Sequence, residues 1–213
     1  MSLAAKICGL STEESVAAAV EGGAVAAGFV FFRASPRWVS PARAADLARG
    51  LGRGVKSCGL FVDEDERTIL ATLDQVPLDW LQLHGSETPE AAARLRERTG
   101  RLVVKAIPVG GPDDLQGLER WQGAADLLLF DARPPRGAAL PGGNGVPFDW
   151  ALLAGRRFGL DWMLSGGLDA ENLAMAAGQS GARMVDVSSG VETSPGIKAP
   201  RLIRDFLAAA RRL

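Results

Sequence analysis

The chain has 213 residues, with 24 Lys and Arg against 25 Asp and Glu, one His and two Cys. A formal net charge of −1 without runs of like charge excludes the electrostatic footprint of a nucleic-acid or anionic-membrane binder, so a small-molecule partner is expected, with no nucleic acid and no membrane. With 47% hydrophobic and 23% charged residues, the length suits a single globular domain over residues 1–213.

Two separated cysteines, Cys8 and Cys58, fit a reducing, cytoplasmic setting better than a disulfide framework. The start, Met1-Ser2-Leu3-Ala4-Ala5-Lys6, lacks the pattern of a signal peptide, and the longest apolar stretch, Ala24 to Phe32, is too short to span a bilayer.

Short apolar runs alternate with amphipathic stretches along the chain, the pattern of repeated strand–helix units around a parallel sheet. The first strand begins at Leu3 and ends at Cys8, and Ser11-Thr12-Glu13-Glu14 reads as a capping box for a helix closing near Gly22-Gly23. A second strand, Ala24 to Phe32, leads into a loop carrying Ser35-Pro36-Arg37. Ser40-Pro41 then supplies a cap and a first-turn proline for a helix with Ala44, Leu47, Ala48 and Leu51 on one face. The third strand, Val55 to Val62, runs into the acidic segment Asp63 to Glu66, which suits a helix N-terminus. The fourth, Leu78 to His84, is followed by Thr88-Pro89 as cap and first helical residue.

The fifth strand, Leu102 to Ile107, precedes a predicted helix burying Leu115, Leu118 and Trp121, and the sixth, Asp126 to Phe130, ends at Asp131. Ala132 to Val146 is rich in proline and glycine and reads as a functional loop, with another helix opening at Phe148-Asp149-Trp150. The seventh strand, Asp161 to Leu164, meets Ser165-Gly166-Gly167, and Asp169 can cap the next helix. The eighth strand, Ala182 to Val187, meets Ser188-Ser189-Gly190, and a last helix turns Leu202, Ile203, Phe206, Leu207 and Ala210 inward.

Eight units in this length predict an α/β fold, a (β/α)8 TIM barrel, in preference to an open doubly wound sheet, because polar residues sit at nearly every strand end. Cys8, Arg37, His84, Asp131 and the two glycine–serine loops would then meet at one mouth. Gly166, Gly167, Ser188 and Ser189 follow strands seven and eight, where barrels commonly place a phosphate, and the absence of a nucleotide-binding glycine motif favours a phosphorylated metabolite.

For the remaining residues the sequence offers paired readings. Cys8 is a buried small hydrophobe or a base whose thiol is lowered by Lys6, two residues back on the same strand face. Asp131, shut under a closed loop, is a general acid kept protonated by desolvation, or it pairs with Arg133 or Arg136. Arg37 grips a carboxylate through its planar fork or is a surface arginine. One histidine with two separated cysteines makes a zinc site improbable, so His84 is placed as a pocket-lining, substrate-binding residue beside Gln82. With Cys8, Ile107 and Ser188 taken as facing the interior, alternation also sends Lys6, Lys105 and Asp186 into the barrel as a buried ionic cluster.

Lys6-Ile7-Cys8-Gly9-Leu10, Gly28-Phe29-Val30-Phe31, Ser35-Pro36-Arg37, Gln82-Leu83-His84-Gly85, Asp131, Phe148-Asp149-Trp150, Ser165-Gly166-Gly167-Leu168 and Asp186-Val187-Ser188-Ser189-Gly190-Val191-Glu192 together resemble the phosphoribosylanthranilate isomerase family of tryptophan biosynthesis, along essentially the whole chain. The resemblance implies an Amadori rearrangement of N-(5-phosphoribosyl)anthranilate, with Cys8 as base, Asp131 as acid, Arg37 on the anthranilate carboxylate and the loops after strands seven and eight on the phosphate. It implies no metal and no cofactor, and a monomer or homodimer. One loop departs from the family: Gly143-Asn144-Gly145-Val146 stands where serine or threonine lies between glycines and lysine follows.

Overall fold

In the computed structural model, which describes residues 2–134, 137, 142, 143, 145 and 147–213, the apolar runs form a closed barrel of eight parallel strands in sequential order. The strands are β1 (Ala4–Cys8), β2 (Ala26–Val30), β3 (Lys56–Phe61), β4 (Trp80–Leu83), β5 (Leu102–Val109), β6 (Leu127–Ala132), β7 (Asp161–Leu164) and β8 (Met184–Val187). Six α-helices occur among the described residues: α1 (Glu13–Glu21), α2 (Pro41–Ala48), α3 (Glu66–Leu73), α4 (Pro89–Thr99), α5 (Leu173–Ser180) and α6 (Pro200–Arg211). A two-stranded antiparallel hairpin, β9 (Glu192–Ser194) and β10 (Ile197–Lys198), lies between β8 and α6.

Ser40 and Thr88 cap as expected, whereas the box of α1 is shifted from Ser11 to Thr12. Asp169 accepts from the amides of Glu171 and Asn172 ahead of α5, whose N-cap is Asn172. Ser40, Asp65 and Thr88 accept from the amides of Arg43, Thr68 and Ala91. In α1 the reciprocal partner of Thr12 is Ser15, not an acidic residue: Thr12 accepts from the Ser15 amide, and the Ser15 hydroxyl accepts from the Thr12 amide. Two predicted helices are replaced by single 3₁₀ turns. After β5 these are Pro112–Leu115 and Leu118–Trp121, separated by Gly117 at φ 66°; after β6 the described residues form the turn Trp150–Leu153, with Gly155 at φ 67° beyond it. Glycines in left-handed conformation stop the turns from propagating. Leu115, Leu118, Trp121 and Trp150 are still buried, so the apolar spacing marked packing positions but not the helical length.

Each strand divides its side chains by parity. Ile7, Ala27, Phe29, Phe61, Leu81, Leu83, Val103, Leu128, Phe130, Leu164 and Val185 join the helices in one continuous apolar shell, whereas Val104, Ala106, Leu127, Leu129 and Met163 form a separate cluster within the barrel. This parity corrects one expectation. Lys105 shares its face with Val103 and lies in the outer shell, its Nζ 5.5 Å from the Trp121 ring centre, donating to the Gly85 carbonyl at 2.6 Å and pairing with Glu87 at 2.7 Å.

Lys6 and Asp186 do meet inside. They are register partners on β1 and β8, and their side chains pair at 2.8 Å with almost no exposure. Burial opposes the Lys6 charge, but the Asp186 carboxylate outweighs it and holds the ammonium above its ordinary value. Removing one partner of such a pair leaves an uncompensated buried charge, typically about 3–5 kcal/mol. Asp186→Ala should therefore shift the denaturant midpoint by an equivalent amount, and Lys6→Met/Asp186→Leu by much less; an unchanged midpoint in Asp186→Ala contradicts the role given to the pair.

Candidate active site

The C-terminal ends of the strands open into a pocket whose lining includes Cys8, Arg37, Gln82, His84, Asp131, Gly166, Gly167, Ser188 and Ser189. Every predicted site residue is thus brought to one mouth.

Cys8, at the last position of β1, is 4% exposed. Its environment differs from the sequence expectation. Burial pushes the thiol above its ordinary value, against the opposing effects of Lys6 and Lys198, while the Asp186 carboxylate adds to the rise. Burial exceeds the pull of Lys6, part of which Asp186 offsets, and its proximity therefore does not produce a thiolate. Cys58, deeper in the barrel, is pushed up by burial to about 12 and has no path to reactivity.

Asp131 lies within β6 and is 5% exposed. One carboxyl oxygen accepts from the Ala132 amide at 2.9 Å, and the other lies 3.3 Å from His84 Nε2. His84 Nδ1 is 2.9 Å from Gln82 Nε2, and Gln82 Oε1 lies 3.9 Å from the Cys58 thiol. With Gln82 donating to Nδ1, the histidine proton sits on Nε2 and points at Asp131. The alternative pairing with Arg133 does not occur, since Arg133 bonds Asp114 instead. Arg136 lies outside the described residues, as do Asn144 and Val146 of the divergent loop.

Two glycines of that loop close directly on these groups. A Cβ at Gly142 would stand 2.5 Å from His84 Nε2 and 2.6 Å from Asp131 Oδ2, and one at Gly143 would stand 2.7 Å from Arg37 Nη1. Only backbone fits against the acid and the arginine. No motif in the sequence singled out Gly142; its requirement comes from close approach alone.

Arg37 is buried, at 6% exposure, which sets aside the surface reading. Its Nε and Nη2 donate to the two oxygens of Glu192 at 2.7 and 2.9 Å, and Nη2 also donates to the Gly143 carbonyl at 3.2 Å. Among the described residues Nη1 has no hydrogen-bond partner, and Arg37 lines the pocket. Gly166 and Gly167 follow β7 at φ 88° and 67°, a backbone that turns towards the mouth without a side chain. Opposite them the Ser188 hydroxyl donates to the Cys8 carbonyl at 3.2 Å and accepts from Lys198 at 3.1 Å. Glu192 and Lys198 received no role from the sequence, because their contacts depend on the hairpin folding back over the barrel.

Among the described residues, no three of histidine, cysteine, aspartate and glutamate converge as a metal-binding group, and no helix is long and apolar enough to cross a membrane.

The family model for N-(5'phosphoribosyl)anthranilate (PRA) isomerase matches residues 5–209. N-(5'-phosphoribosyl)anthranilate isomerase from Rhodospirillum centenum is 53% identical, with 100% of both chains covered, and that from Paracoccus denitrificans is 51% identical, covering 99% of this chain and 98% of its own. Among solved structures, phosphoribosyl anthranilate isomerase from Thermotoga maritima superposes with a TM-score of 0.88 at 35% identity, covering 99% of this chain and 100% of that one. A phosphoribosyl anthranilate isomerase in complex with reduced 1-(o-carboxyphenylamino)-1-deoxyribulose 5-phosphate gives a TM-score of 0.85 at 34% identity, with the same coverage. With the match running through all eight strands and the strand-end residues in place, this chain belongs to the N-(5'-phosphoribosyl)anthranilate isomerase family.

Proposed function

We infer that the chain catalyses the Amadori rearrangement of N-(5-phosphoribosyl)anthranilate to 1-(2-carboxyphenylamino)-1-deoxyribulose 5-phosphate in tryptophan biosynthesis, with Asp131 as general acid and Cys8 as general base. The observation that carries this reading is the placement of a buried carboxyl group, a buried thiol and a buried arginine around one pocket in a member of that family.

The substrate carries an aromatic carboxylate at one end and a phosphate at the other, with the ribose between. Arg37 meets the carboxylate through Nη1, its other edge being fixed by Glu192. The phosphate is anchored by the backbone of Gly166 and Gly167 and by Ser189. Ser188 contributes through its backbone, since its hydroxyl is engaged by Cys8 and Lys198. Binding energy gathered at these two ends positions the reacting carbons between acid and base.

Asp131, held by His84 from the pocket side, protonates the ribose ring oxygen. The C1–O bond breaks and a cationic Schiff base forms between C1 and the anthranilate nitrogen. Cys8 as thiolate takes the proton from C2, giving an enolamine. Return of a proton to C1 and loss of one from the C2 hydroxyl complete the ketone, so the sequence is a net isomerisation. Burial keeps Cys8 protonated at neutral pH in the unliganded protein, and the cation formed by ring opening is an opposite charge that favours its ionised form. His84, beyond steadying Asp131, forms part of the wall against which the sugar lies. A homodimer or a monomer is compatible with this site, because every group named comes from one chain.

General acid–base groups contribute about 10²–10⁴-fold each. Cys8→Ala and Asp131→Asn should each lower kcat by at least that order with KM little changed, measured by loss of the fluorescence of N-(5-phosphoribosyl)anthranilate as it is consumed; near-normal turnover in either variant removes its assigned role. The raised thiol value also fixes a sign for the pH dependence. Thiolate increases as pH rises, so kcat/KM should climb with pH through the neutral range, and a flat profile there contradicts Cys8 as the base. Gly142→Ala should reduce kcat by two orders or more with a wild-type melting temperature, since the added methyl would displace Asp131 and His84.

A further inference from the structure

We propose that Glu192 and Lys198, on the hairpin β9–β10, form a positioning unit that orients Arg37 and supplies the buried positive charge against which Cys8 ionises. The proposal rests on the assignment of Cys8 as base and Arg37 as carboxylate holder.

The geometry is that of a buried cluster in which one carboxylate bridges two cations. The Glu192 side chain is 3% exposed and that of Lys198 is 1% exposed. Glu192 Oε1 accepts from Arg37 Nε and from Lys198 Nζ, each at 2.7 Å, while Oε2 accepts from Arg37 Nη2 at 2.9 Å and from the Gly196 amide at 3.2 Å. Lys198 Nζ further donates to the Ser188 carbonyl at 2.8 Å and to the Ser188 hydroxyl at 3.1 Å, using all three of its donors. Ser188 in turn donates to the Cys8 carbonyl. One carboxylate therefore holds both cations, and one of those cations is tied through Ser188 to the strand end that carries the thiol.

Charge counting shows what the cluster adds. Beneath Cys8, Lys6 and Asp186 carry no net charge as a pair, and the pull of Lys6 on the thiol is partly offset by Asp186. Arg37 and Lys198 against Glu192 leave one net positive charge, buried at the mouth where the substrate brings its anions. The groups facing the thiol are Lys6 on its own strand, Asp186 on β8, Cys58 on β3 and Lys198 on β10, with Asp131 and His84 lining the far side of the same pocket. Lys198 and Arg37 share one counter-ion, Glu192, whereas Lys6 has Asp186 to itself. Burial lowers Lys198 from its ordinary value against the pull of Glu192, whereas Arg37 and Lys198 overcome burial to hold Glu192 below the usual carboxylate range. The cluster thus favours an additional negative charge nearby, and thiolate formation provides one.

The two residues should act on Cys8 in opposite directions. Removing the Lys198 charge withdraws support for the thiolate; neutralising Glu192 leaves both cations uncompensated and increases it. In full-length protein labelled with cysteine carrying ¹³C at Cβ, the Cys8 resonance is titrated in wild type, Lys198→Met, Lys198→Arg and Glu192→Gln. Lys198→Met should move ionisation to higher pH by about one unit or more, Glu192→Gln should move it to lower pH, and Lys198→Arg should keep it near the wild-type position. The pH at which kcat/KM rises should follow the same order, and Glu192→Gln should in addition raise KM several-fold as Arg37 loses its hold. Shifts of the same sign in Lys198→Met and Glu192→Gln, or no shift in either, overturn the proposal. Should Lys198→Met fail to fold, a Glu192→Gln titration unmoved or moved upward does the same. These results are independent of the base assignment, which fails separately if Cys8→Ala turns over normally.

Discussion

The buried pair between Lys6 and Asp186 is the constraint on which the site depends. It joins the first barrel strand to the last at a register-matched position, directly below the thiol, and so helps close the sheet and floors the pocket at once. A lone charge there would be costly, and the pair is tolerable because each partner meets the other at 2.8 Å within the strand ladder. The same neutralisation has a chemical consequence. Burial outweighs the pull of Lys6 on the cysteine above it, which Asp186 partly offsets, so Cys8 rests as a thiol.

Positive charge for the reaction therefore has to come from elsewhere. Arg37 and Lys198 reach the mouth from outside the barrel's own strands, one from the loop after β2 and the other from the hairpin after β8, with Glu192 between them. The barrel supplies position and the excursions supply charge. This division fits a substrate with an anion at each end: the framework fixes the distance between acid and base, while the loops decide what can be held across them.

Much of this was legible in the sequence. Alternating apolar runs with polar strand ends gave the eight-fold barrel, and strand parity placed Lys6, Cys8 and Asp186 on one inward face. Parity misled at Lys105 because the reference residue, Ile107, faces the helices; a continuous apolar strand buried on both sides carries no sign of which side is inside. The apolar spacing of Leu115, Leu118 and Trp121 predicted burial correctly and helix length wrongly, and the helix expected to open at Phe148-Asp149-Trp150 is likewise a single turn, since Gly117 and Gly155 interrupt the chain there. Arg37 could not be told from a surface arginine because its partner, Glu192, lies 155 residues away in sequence. Contacts of that range, and the backbone approach of Gly142 to Asp131, are properties of the closed fold, and no local pattern encodes them.

The central claim is a division of labour in which Asp131 opens the ribose ring and Cys8 then removes the C2 proton. The most direct measurement is to incubate N-(5-phosphoribosyl)anthranilate with Cys8→Ala or Asp131→Asn in the presence of cyanoborodeuteride and locate the deuterium by mass spectrometry. Label at C1 reports the Schiff base, and label at C2 reports the ketone. The account predicts C1-labelled open-chain amine with Cys8→Ala well above the level formed without protein, and only that background level with Asp131→Asn. Equal C1 labelling by the two variants, or strong labelling with Asp131→Asn alone, would contradict it.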